Sequence, residues 1–185
     1  MIHAKKTPLS QKGIVIWLLG LSGAGKSTIA TLLKEKLDGE GFFSVLLDGD
    51  ILRAGINSNL TYSNEDRAEN VRRAAEMAKI LVENNIITIC SFITPMQGHR
   101  DLTHEILGER YFEVFVDCPL EVCEERDVKG LYKKARTEGL TNFTGISSAF
   151  EPSINSHLTL FTNTQTPRDS CELLYSAILP DIKPD

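Results

Sequence analysis

The sequence predicts an α/β protein: a five-strand parallel sheet with helices on both faces. Two observations carry that prediction. Apolar runs of strand length recur at residues 14–19, 43–47, 86–92, 112–116 and 158–161 without the polar alternation of a half-exposed strand, as strands buried on both faces require. Helical patterns fall between these runs, at 27–37, 64–83, 120–126 and 168–178. Strands alternating with helices build a parallel sheet covered on both sides. With 185 residues, the chain reads as one domain, 1–185,.

The elements follow in order. IVIWLL is the first strand, and STIATLLKEKL opens the first helix. Residues 43–47 form a second strand, which ends at an acidic turn, Asp48-Gly49-Asp50. Helix 64–83 carries Ala68, Val71, Ala75, Ala78 and Val82 as an apolar stripe at helical spacing,. Ser63 precedes it as N-cap, with Asp66 three residues on,. Thr166-Pro167 looks like a cap followed by proline at the first helical position of 168–178,. Residues 129–151 fit neither period. They are rich in Lys, Arg, Gly and Thr and read as a mobile lid over a site at the carboxyl ends of the strands.

Composition excludes several classes. A net charge of −5 argues against a nucleic-acid coat,. The N-terminal MIHAKKTPLSQKG has no apolar core of a signal peptide,. No apolar run approaches the roughly 20 residues of a membrane span. Cys90, Cys118, Cys123 and Cys171 form no CxxC pair and read as buried reduced thiols of a cytoplasmic protein. No nucleic-acid or membrane partner is expected.

Gly20-Leu21-Ser22-Gly23-Ala24-Gly25-Lys26-Ser27 matches GxxxxGK[ST] between an apolar strand and a helix, the context that the phosphate-binding motif requires. Its backbone N–H groups and the helix N-terminus cradle phosphates. Lys26 reaches the β- and γ-phosphates, and Ser27 holds Mg²⁺. With the sheet, this loop predicts the three-layer sandwich of P-loop NTPases. The loop alone does not separate kinases from GTPases or ATPases. No guanine-specifying motif is present, so a kinase for a small acceptor leads.

Two features point to the acceptor. Asp48 and Asp50 straddle a glycine where a carboxylate could orient an acceptor hydroxyl or a metal-bound water; a polar strand-to-helix turn explains them equally well. Arg67 and Asn70 share a helix face, off the apolar stripe. That pair suits a phosphate or sulfate, although a solvated charged face is the commoner reason for such residues.

GLSGAGKST, LDGDILR, SNEDRAENVRRAAEMAK, SFITP, EVFVDCPLEVCEERDVKGLYKKAR and NFTGI occur in one order over most of residues 14–151. In these stretches the chain resembles the adenylylsulfate kinase (APS kinase) family. The resemblance implies Mg²⁺-dependent transfer of the ATP γ-phosphoryl group to the 3′-hydroxyl of adenosine 5′-phosphosulfate (APS), giving PAPS and ADP in sulfate assimilation. It makes Asp50, with Lys26, the catalytic pair, and puts Asp50 with Ser27 at the metal. It adds Thr28 and Arg126 to the ATP site. It implies that Asp48, Arg53, Tyr62, Arg67, Asn70, Lys129 and Phe143 hold the acceptor, with Tyr62 and Phe143 on opposite faces of its purine. Asp117 looks like a Walker-B aspartate but reads as structural. Tyr62 stands where the family has Phe, Thr94 where it has Ser and Met96 where it has an aromatic. Ala149-Phe150-Glu151 replaces Pro-Tyr-Glu, and Ser156-His157 replaces Pro-Glu. A kinase for another nucleotide anhydride, such as a cytidine diphosphoramidate, is the alternative. A homodimer and functional coupling to an ATP sulfurylase are held open.

Overall fold

The computed structural model describes residues 9–184. The signal-peptide reading of the N-terminus falls largely on residues outside that range. Five strands form one sheet: β1 Val15–Leu19, β2 Ser44–Asp48, β3 Ile87–Ser91, β4 Tyr111–Asp117 and β5 Leu158–Phe161. Their order is β2-β3-β1-β4-β5, and every pairing is parallel. All five runs read as strands are present, with ends shifted by no more than a residue.

Among the described residues, seven α-helices accompany the sheet: α1 Lys26–Gly39, α2 Gly49–Ala54, α3 Asn64–Glu83, α4 Gln97–Leu107, α5 Leu120–Arg126, α6 Leu131–Thr137 and α7 Pro167–Ile182. β1 shows how the layers arise. All five of its residues are buried, and successive side chains point to opposite faces. Ile16 and Leu18 pack with Ile29, Leu33 and Leu37 of α1 and Leu174, Ile178 and Ile182 of α7. Val15, Trp17 and Leu19 pack with Val71, Ala74, Ala75, Ala78 and Val82 of α3 and Leu107 of α4. Small alanines on α3 let the helix lie close to Trp17, which is fully buried and stacks on Phe92 at 4.9 Å between centroids.

Local signals set the helix starts. Ser63 accepts the Asp66 N–H at the start of α3. Thr166 and Asp169 form a reciprocal capping box on α7. Such a cap stabilises a helix by about 1 kcal/mol. α2 and α4 were not expected. α2 has six residues and is capped by the acidic turn itself, since Asp48 accepts the Asp50 N–H. α4 carries Gly98 in its first turn, and its N-cap residue Met96 supplies no side-chain cap, so no local start signal announces it. The lid segment also contains a helix, α6. Its buried residues are Tyr132 and Ala135, and Gly130 precedes it in a left-handed conformation.

One reading of α3 is corrected. Arg67 and Asn70 do not lie off the apolar stripe. Both are buried and continue the line of Val71, Ala74, Ala75 and Ala78 toward the helix N-terminus. The stripe stays buried while its chemistry changes from apolar to polar. That change marks where α3 stops facing core and starts facing a cavity.

Candidate active site

Four of the five strands deliver their carboxyl ends to one cavity of about 690 Å³. The loop after β1, Asp48 at the end of β2, residues 91–95 after β3 and Thr162 after β5 all line it. Ligands in parallel sheets bind at this edge. Among the predicted residues, Ser22, Gly23, Gly25, Lys26, Ser27, Thr28, Asp48, Asp50, Arg53, Tyr62, Arg67, Asn70, Arg126, Lys129 and Phe143 line the cavity. Gly20, Leu21 and Ala24 do not; they form the back of the loop.

The loop's glycines are needed for their backbone. Gly20 has φ +148°, and a Cβ there would lie 2.4 Å from the Val116 carbonyl oxygen. Gly25 has φ +103° and is the N-cap of α1, so the chain turns into the helix with its first N–H groups directed at the cavity. Lys26 is buried, and its Nζ donates to the Gly20 and Leu21 carbonyls at 2.9 and 2.7 Å. Burial pushes its pKa down to about 8. The positive charge of Lys129 adds to this, while Asp48 and Asp50 oppose it.

Ser27 Oγ donates to Asp48 Oδ2 at 2.9 Å and lies 3.2 Å from Ser91 Oγ. Three oxygens thus converge beside the phosphate loop. Mg²⁺ suits such a set, because it takes one or two carboxylates and leaves other positions to water and phosphate. Among the described residues there is no cluster of three or more His, Cys, Asp or Glu that would cage a metal. The sequence pairs Ser27 with Asp50 at the metal; the structure sets Asp48 against Ser27. Asp50 instead forms an ion pair with Lys129 of the lid.

At the acceptor end, Arg53 donates to the Leu60 and Thr61 carbonyls, at 3.2 and 2.9 Å, and lies over the Tyr62 ring at 4.4 Å. Arg67 donates to the carbonyls of Tyr62, at 3.0 Å, and Asn142, and lies 5.6 Å from the same ring. Burial and the neighbouring Arg53 depress the Arg67 pKa. Neither guanidinium is ion-paired with a carboxylate among the described residues. Asn70 accepts from Asn57 at 3.0 Å, which leaves its amide nitrogen as a donor,. Two guanidiniums and an amide donor without an anionic partner are chemically suited to an anion.

Arg126 donates to the carbonyls of Gly23 and Thr162, at 3.4 and 2.6 Å, and so bridges the phosphate loop and the end of β5. The segment read as a lid forms the remaining wall, with Lys129, Leu131, Tyr132 and residues 140–144. Several lining residues escaped the sequence: Ser91, Tyr132, Asn142, Thr162, Gln165 and Pro167. Position at a strand's carboxyl end could have found Ser91 and Thr162. Tyr132 has no such signal.

The departures from the family pattern fall in two groups. Tyr62 and Thr94 line the cavity, but the Thr94 hydroxyl is buried and accepts the Trp17 indole N–H at 2.8 Å. Met96, Ala149 and Phe150 do not line it. Phe150 stacks on Phe115 at 6.1 Å, and His157 pairs with the backbone of Glu113.

Comparison with known proteins gives a consistent result. A family model described as adenylylsulphate kinase matches residues 12–161. An adenylyl-sulfate kinase of Clostridium kluyveri is 51% identical over 158 residues, 85% of this chain and 79% of the relative. One from Bacteroides thetaiotaomicron is 46% identical over 180 residues, 97% of this chain and 90% of the relative. Among solved structures, the APS kinase of Mycobacterium tuberculosis in complex with AMPPNP and APS superposes with a TM-score of 0.88 at 38% identity, covering 91% of this chain and 98% of that one.

Proposed function

The chain belongs to the adenylylsulphate kinase family, and from that premise we propose how its residues transfer the ATP γ-phosphoryl group to the 3′-hydroxyl of APS. One observation carries the reading: a single cavity joins a complete phosphate loop to two guanidiniums that lack carboxylate partners. The loop binds the ATP phosphates through its backbone N–H groups. Lys26 leaves the Gly20 and Leu21 carbonyls for the β- and γ-phosphates and balances the charge that develops on the transferred group. Arg126 supports the ATP adenine. Arg53, Arg67 and Asn70 hold the anionic acceptor, with Tyr62 and Phe143 against its flat base.

Mg²⁺, when bound, would neutralise phosphate charge; the side chains that would hold it are Ser27 and Asp48, whose oxygens lie 2.9 Å apart,. Asp50 orients the 3′-hydroxyl and accepts its proton once Lys129 releases it. Residues 129–151 act as the lid, and their closure excludes water from the γ-phosphate.

Met96, Ala149 and Phe150 lie outside the cavity, so these departures give no reason to prefer a cytidine-based acceptor. Turnover with ATP, Mg²⁺ and each acceptor, with products identified by mass spectrometry, tests this. APS is expected to give a kcat/KM at least about tenfold above any cytidine nucleotide, a difference of about 1.4 kcal/mol in transition-state binding. Preference for the cytidine compound would overturn the acceptor and leave the kinase.

A further inference from the structure

Tyr132 is the second residue of the lid helix α6 and is 1% exposed. Its hydroxyl donates to the Ser22 carbonyl in the phosphate loop at 2.9 Å. Its ring meets the Phe143 ring edge-on, with centroids 5.0 Å apart and planes at 84°. Asp127 fixes its backbone, accepting the N–H groups of Tyr132 and Lys133 at 3.0 Å each. One side chain therefore touches the loop that takes the nucleotide phosphates and the ring proposed to stack on the acceptor.

We propose that Tyr132 is a positioning residue that couples nucleotide binding to acceptor binding, an inference that rests on the function proposed above. The Ser22 carbonyl and the Gly23 N–H belong to one peptide unit. When that N–H donates to a phosphate, the peptide polarises and its carbonyl becomes a stronger acceptor, because hydrogen bonds in a chain reinforce one another. The Tyr132 hydroxyl is the donor at that carbonyl. A filled loop thus holds Tyr132 more firmly, and Tyr132 holds Phe143 at the angle that its ring contact sets. Coupling between sites is a free-energy difference that works equally in both directions.

The test is calorimetric titration of the full chain with APS, alone and with saturating AMPPNP. Wild type is expected to bind APS more tightly with AMPPNP present. Tyr132→Phe keeps the ring and loses the donor. It should bind AMPPNP about as wild type does, yet lose about fivefold of the AMPPNP-induced gain, the worth of one neutral hydrogen bond. Its KM for APS should rise by about the same factor while kcat stays nearly constant, a split that general loosening of the fold would not produce. Phe143→Leu breaks the ring contact and leaves the hydroxyl bond in place. It must lose the same gain, and adding Tyr132→Phe to it must cost nothing more, so the test survives a poorly folded single variant. An unchanged gain in Tyr132→Phe, or no gain in wild type, overturns the coupling. A wild type that neither binds nor phosphorylates APS overturns the functional reading and the coupling with it.

Discussion

Lys26 makes nucleotide affinity depend on pH in a direction and window that the structure defines. Burial lowers its pKa from 10.5 to about 8, which amounts to roughly 3 kcal/mol against the ammonium form. Its present partners are two carbonyls, which are weak compensation for a buried charge. Nucleotide phosphates bring negative charge to Nζ and raise the pKa in the complex. The bound state then holds more protons than the free state between pH 8 and the higher bound value. Affinity is therefore flat below pH 8 and falls above it, by at most about tenfold per pH unit. Titration of AMPPNP by calorimetry between pH 7.5 and 9.5 follows this slope, with Lys26→Ala as the reference that subtracts the nucleotide's own ionisation. At pH 8, buffers of different ionisation enthalpy should reveal uptake of about half a proton, since Lys26 is half-protonated there. Lys26→Ala should bind more weakly and lose both the slope and the proton uptake. A constant affinity across this range in wild type would refute the reasoning, and near-normal turnover in Lys26→Ala would refute the phosphate-loop assignment.

Two further predictions concern Asp50 and the lid. Asp50→Asn keeps the shape and removes the charge; it is expected to bind AMPPNP normally and lose about 10²–10⁴-fold in turnover, whereas an unchanged kcat would reduce Asp50 to a turn residue. Amides of residues 129–151 should exchange faster in the free chain than with AMPPNP and APS together, because the ties across the cavity, Lys129 to Asp50, Tyr132 to the Ser22 carbonyl and Arg67 to the Asn142 carbonyl, are few; exchange indifferent to both ligands would count against a lid.

What the sequence made legible follows from how local its causes are. The central strand β1 was readable because burial on both faces leaves Val15–Leu19 without a polar residue. The phosphate loop was readable because its glycines answer to backbone geometry within eight consecutive residues. α2 was not readable because it is six residues long and begins inside the acidic turn; α6 was not, because it follows a left-handed glycine in a basic stretch and buries only Tyr132 and Ala135. The face of Arg67 and Asn70 was misread for a different reason. Periodicity places residues on a helix face, but it cannot say that a buried face borders a cavity instead of core. Tyr132 and Asn142 were invisible because their partners, Ser22 and Arg67, are remote in sequence. The acidic turn shows the same limit: it was found, but only the fold decides that Asp48 meets Ser27 and Asp50 meets Lys129.

The departures from the family pattern gain meaning once their positions are known. Glu151 accepts the Gln97 N–H at 2.5 Å at the start of α4, and its carbonyl accepts from Arg100 at 2.9 Å. Phe150 stacks on Phe115 of β4. Ser153 donates to the buried Glu113, whose other oxygen accepts from Tyr111 at 2.8 Å. His157 stacks on Phe112 at 5.1 Å and accepts the Glu113 N–H at 2.9 Å. Residues 149–157 are thus the return path from the lid to β5, docked on α4 and β4, and most of the unusual residues lie within that docking surface. A changed anchor can alter how residues 129–148 are held over the cavity without altering what lines it. In the function proposed above, recognition of the acceptor falls to Arg53, Arg67 and Asn70, whose side chains line the cavity. Stacking between two aromatic rings would accept any flat base, so under that proposal the choice among anionic nucleotides is left to those three side chains.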